Sequence, residues 1–108
     1  MERQIPEKDW KRWRSLSAVA LERFCGKVLK EAAQFERQEG SAHSRYLELY
    51  DHLGQADEMV AAGFNNPRRS VAFIQIARAV REGLVAPGEL TGFSEETRRT
   101  VEFMIHGR

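Results

Sequence analysis

Asn66, Pro67, Arg68, Arg69 and Ser70 stand in a row, and no other stretch of the chain is better equipped for chemistry. Asn followed by Pro is a strong way to open a helix. The first amides of a helix lack intrahelical partners and point outward, which makes an anion site. Arg68 and Arg69 would add two guanidinium groups suited to bidentate capture of oxyanions, and Ser70 a hydroxyl. The same two cations oppose the helix dipole, so something must offset them. An oxyanion or an acidic partner would do so, and so would acids of this chain. Across residues 41–66, Arg45 stands against Glu48, Asp51, Asp57 and Glu58. Antiparallel helices would bring Asp57 and Glu58 to Arg68 and Arg69. Internal pairing is the preferred expectation, with Asn66, Arg68, Arg69 and Ser70 kept as the candidate anion or partner site.

Trp10 and Trp13 form the second candidate. Two tryptophans on one helix face are either core plugs or an interaction patch, because Trp is enriched at binding hot spots. Core packing is favoured, and self-association through this face is the alternative. Glu48 and His52 are four residues apart and point the same way on a helix. A metal bundle would need matching Glu/His pairs from other helices, so they read as a surface pair and no metal is expected. Cys25 borders an apolar stripe and reads as a buried structural thiol. The sequence has no Gly-rich phosphate loop, nucleophile elbow or paired-carboxylate spacing. No catalytic residue and no cofactor are therefore expected.

These residues need elements to position them, and the apolar spacing is helical throughout. Pro6 predicts the start of a long first helix, with Glu7 and Asp9 favouring its dipole. Its inward stripe would be Trp10, Trp13, Leu16, Ala20, Leu21, Phe24, Val28, Ala32 and Phe35, running to about residue 38. Gly26 weakens it by about 1 kcal/mol relative to Ala, so it reads as one helix or two collinear pieces. Ser41 caps a second helix with a stripe of Tyr46, Leu49, Tyr50, Leu53, Ala56, Val60 and Phe64, stopped by Gly63. A third helix is predicted from Asn66 to about Glu82. It is apolar almost all round and so enclosed by its neighbours. Gln75 interrupts it, as an exposed edge or as a buried amide that must be hydrogen-bonded. After a turn at Pro87, Ser94 caps a last helix with Val101, Met104 and Ile105 inward.

The second and third helices invite a helix-turn-helix reading. A recognition helix must offer a polar face, whereas the third helix reads as the most buried element. Charge agrees: 17 Lys+Arg stand against 16 Asp+Glu, without the basic excess of a dedicated nucleic-acid domain. An apolar share of 42% is that of a globular chain. One cysteine excludes an internal disulfide and suits a reducing cytoplasm. No signal-like or membrane-spanning run is present. The expected architecture is all-α, one domain over residues 1–108. It is a compact bundle of four main helices, with a long N-terminal helix and a central apolar third. The expected function is non-catalytic: a cytoplasmic interaction module binding an unknown protein or itself as a homodimer, with no membrane partner. The alternative is a regulator that binds nucleic acid or a phosphate ligand at the basic start of the third helix, with nucleic acid disfavoured.

Overall fold

A computed structural model describes residues 4–64 and 66–107; the side chain of Phe64, expected on the second stripe, lies outside the described residues. The fold is all-α. Its elements are α1 (Glu7–Gln34), α2 (Ala42–Met59), a π-turn (Val60–Phe64), a 3-10 turn (Arg69–Val71), α3 (Ala72–Arg81), the short α4 (Pro87–Leu90) and α5 (Glu95–His106).

Helix α1 runs unbroken through Gly26 for 28 residues, about 42 Å at 1.5 Å per residue. Strong helix formers on both sides of Gly26 offset its propensity cost. Pro6 sits just before the helix as its N-cap, in extended conformation. Every residue of the expected α1 stripe is buried or half-buried. Ser41 caps α2 by accepting from the Ser44 N–H at 3.0 Å. Gly63 does not stop α2. The helix passes instead into the π-turn, and Gly63 is buried where the Arg78 side chain lies 3.2 Å from the position of an added Cβ. The Gly63 backbone is not left-handed, and an added Cβ there would need the Arg78 side chain to shift slightly.

At the end of α3, Gly83 has φ 72°. Its N–H donates to Val80 O, and the next N–H, of Leu84, donates to Ala79 O at 2.9 Å. This pattern satisfies the last carbonyls and folds Leu84 into the core. Ser94 caps α5 through the Thr97 N–H.

Two regions result. The head holds the first half of α1 with α3, α4 and α5. Its core joins Ile5, Trp13, Leu16, Ala20 and Phe24 to Phe73, Ile76, Ala79, Leu84, Val85, Phe93 and Val101. The hairpin holds the second half of α1 and α2, which extend the molecule to 53 × 28 × 26 Å. Its radius of gyration is 16.5 Å, against about 13 Å for a compact domain of this length.

Within α3, Ala72, Phe73, Gln75, Ile76, Ala77 and Ala79 are buried, while Ile74 is 52% exposed. On α5, Val101 is buried and Ile105 half-buried, but Met104 turns outward beside Phe103. The larger difference from the sequence reading is on α2. Tyr46, Tyr50 and Leu53, expected inward, are 60%, 71% and 42% exposed, and none of the 18 residues of α2 is buried.

Candidate functional site

The 66–70 segment is built around Gln75. This side chain is 4% exposed, and its bonds fill the role of the buried amide. Its Oε1 accepts from the Trp13 indole N–H at 3.2 Å and from the Arg68 backbone N–H at 3.1 Å. Its Nε2 donates to Asn66 O at 3.2 Å. A polar side chain placed this deep is costly without partners. Here it fastens the chain before α3 to α1. The same bonds explain why no α-helix starts at Asn66. Arg68 is held extended (φ −126°, ψ 130°), a 3-10 turn follows, and the α-helix begins only at Ala72.

This geometry reassigns the arginines. Arg69 pairs with the Glu7 carboxylate and donates to Ile5 O at 3.2 Å. Its acid therefore comes from the first turn of α1, not from Asp57 or Glu58. Arg68 is exposed, and its guanidinium has no hydrogen-bonding or ion-pair partner among the described residues. The exposed Ser70 and Arg69 border a cleft of about 200 Å³ that also takes in Val71, Phe73, Ile74 and Met104. With Arg69 matched to Glu7 and the Arg68 amide and Asn66 carbonyl bonded to Gln75, this segment closes the head.

Trp13 is 0% exposed and sits in the core. Trp10 is half-buried against that core, with the Arg14 guanidinium 5.9 Å from its ring centre. A patch shared by both tryptophans is therefore not presented.

Two further polar clusters tie α1 to the far end of the chain. Asp9, 1% exposed, accepts from Ser94 N–H at 3.1 Å, from Ser94 Oγ at 2.5 Å and from Thr97 Oγ1 at 2.5 Å. Burial pushes the Asp9 carboxyl up, but the Ser94 and Thr97 bonds and the charge of Lys8 outweigh it and hold it below its ordinary value. A carboxylate from one helix thus caps the start of another, where the dipole favours negative charge. Arg23 pairs with Glu89 and donates to Leu84 O. Bonds from Arg23 and from the Ala86 N–H lower the Glu89 carboxyl to about 2. Arg12 donates to Glu89 O at 2.6 Å and lies 5.4 Å from the Phe93 ring centre.

The hairpin differs in kind. Successive residues of a helix are about 100° apart. Arg45, Leu49, His52, Ala56 and Val60 therefore share one side of the α2 segment, turned to α1. His52 Nε2 lies 3.1 Å from Glu31 Oε1 and its ring 5.4 Å from that of Phe35. His52 thus meets Glu31 across the hairpin; Glu48, its expected partner, is exposed. Tyr46, Tyr50, Leu53 and Asp57 share the neighbouring side. At the base of the hairpin an open groove of about 430 Å³ is lined by Phe24, Cys25, Val28 and Leu29 of α1 and by Leu53, Ala56, Asp57 and Val60, with Tyr50 and Tyr46 exposed beyond it toward the tip. Cys25 is exposed, not the buried thiol its place beside the stripe suggested. Leu29 is 71% exposed. Asp57 is the one charged residue of that lining.

The sequence reading placed Tyr46, Tyr50 and Leu53 in the core because one stripe was drawn through all the apolar residues of α2. The signal that separates them is width. Leu49 and Ala56 fall about 60° from Tyr46 and Leu53 on the helix, so the stripe spans two sides and α1 covers only one. Among the described residues no cluster of three or more metal-ligating side chains occurs. The chain matches no protein-family model, no curated protein and no solved structure.

Proposed function

We propose that this chain is a non-catalytic helical interaction module that binds protein through the groove side of the α1–α2 hairpin. One observation carries the reading: Leu29, Tyr46, Tyr50 and Leu53 lie exposed along a helix pair whose second member buries none of its residues. In proteins most helical stability comes from packing an apolar face rather than from propensity. Contiguous apolar surface of this kind rarely stays bare, and tyrosine is enriched where binding energy concentrates. The 66–70 segment contributes by fixing the head, from which the hairpin projects. A cytoplasmic location belongs to the same proposal, supported by a single exposed cysteine in a chain with no partner thiol. No helix among the described residues is long and apolar enough to cross a membrane.

A photo-crosslinking amino acid at position 50, introduced in the native cell, tests the proposal. A discrete protein adduct at Tyr50, absent when the probe replaces Thr91 in the head, is the expected result. Equal labelling at both positions, or none at Tyr50, overturns it.

A further inference from the structure

We infer that the surface covering the hairpin is a second copy of this chain, two hairpins closing into a four-helix bundle. This rests on the interaction reading above and names its partner.

Two helices side by side form a single layer, and a stable core needs at least two. The head already has its layers, whereas the hairpin has one. A second identical hairpin supplies the missing layer with the helix-packing geometry of ordinary bundles. No further element of the chain among the described residues covers this side of the groove.

A two-fold interface must be self-complementary. From Asp57 at the base of the hairpin toward the tip near Ser41, the face presents the exposed Cys25, Leu29, Leu53, Tyr50 and Tyr46. An apolar and aromatic strip of this kind is complementary to itself, whereas a strongly charged partner would call for a matching run of opposite charge. The Asp57 carboxylate at the base also sets the sense of the pairing, because antiparallel hairpins keep its two copies apart.

Helix α2 is about 27 Å long, and two helices 8–10 Å apart present a face roughly 20 Å wide. That is about 500 Å² in flat projection and more once ridges and grooves are counted, approaching the ~800 Å² per partner of a standard stable interface. Ile74, Phe103 and Met104 on the head are the competing exposed apolar residues, but they lie on a region that already has its second layer.

Analytical ultracentrifugation of the full chain tests the inference. A dimer is expected at about 100 µM, dissociating on dilution. Leu29→Glu with Leu53→Glu should weaken association at least about 100-fold, with the far-UV spectrum of a helical protein retained. The milder pair Tyr46→Ser and Tyr50→Ser should weaken it by a smaller factor. Val19→Glu, at an exposed apolar residue on another side of α1, should leave the dimer intact. A monomer at every concentration, or a dimer indifferent to both pairs of substitutions, overturns self-association. The crosslinking experiment separates the two proposals. A monomeric chain that gives a Tyr50 adduct with a different protein loses the second copy and keeps the interaction module, while an adduct of twice the chain's own mass supports both.

Discussion

Helices α2 and α3 both carry apolar residues at helical spacing and meet opposite fates. Six of the ten residues of α3 are buried, and none of the eighteen of α2. The difference lies less in the helices than in what surrounds them. Around α3, buried polar groups fix the neighbours in place: Gln75 binds Trp13, Arg68 and Asn66, and Asp9 binds Ser94 and Thr97. Each such bond adds modestly to stability but costs much more when one partner is removed, so the head is held in one arrangement. Around α2 there is a single neighbouring helix and an open groove. The head specifies a shape, and the hairpin presents a surface.

Substitutions can break that contrast. The largest effect is expected at Asp9. Asp9→Ala strands the Ser94 amide and two hydroxyls and should cost about 3 kcal/mol. A fall in melting temperature of more than about 10 °C would report it. An effect under about 0.5 kcal/mol would show that α5 is held by apolar contact alone.

Acid should act through the same groups. The folded Asp9 and Glu89 carboxyls titrate below their unfolded values. Their contribution is therefore complete above the ordinary carboxyl range and is lost as pH falls from that range, for Glu89 toward about 2. Asp9→Asn should remove part of this acid dependence in denaturant titrations.

The second effect is at Gln75. Gln75→Leu keeps the volume but leaves the Trp13 indole and the Arg68 amide unpaired, a loss of about 2 kcal/mol. The near-UV signal of Trp13 should change with it.

A smaller loss is expected at Gly92, where an added Cβ would lie 2.1 Å from the Arg12 guanidinium carbon. Gly92→Ala should push Arg12 off Glu89 O and Phe93, costing about 1 kcal/mol. The cost should vanish in an Arg12→Ala background, which a double-mutant cycle measures.

The smallest effect sharpens the contrast from the other side. Tyr46→Ser should change the stability of the dilute chain by less than about 0.5 kcal/mol. A loss comparable with that at Gln75 would mean that the tip of the hairpin is packed, and the two regions would no longer differ in kind.

Much of this molecule could be read along the chain. The helical class, the caps at Ser41 and Ser94, the stop at Gly83 and the α1 stripe all follow from local rules, because propensity, capping and periodicity act within a few residues. The candidate site was less legible. The stripe on α2 was visible as a pattern, but whether Tyr50 met a core or solvent depended on which helices arrived beside it. Arg69 shows the same limit. The sequence demanded an acid to offset it, and two acids nearby in the chain were the natural choice. The acid that meets it is Glu7, brought from 62 residues away by the packing of α1 against α3.

The sequence by itself determined that the chain is helical, the caps at Ser41 and Ser94 and which sides of its helices are apolar, since those choices are made by neighbours along the chain. The start of α3, by contrast, moved from Asn66 to Ala72 under the bonds of Gln75. Only the tertiary structure decided which apolar sides were covered, and which charges were matched. Burial depends on how many elements converge at one place, and that number is not a property of any segment.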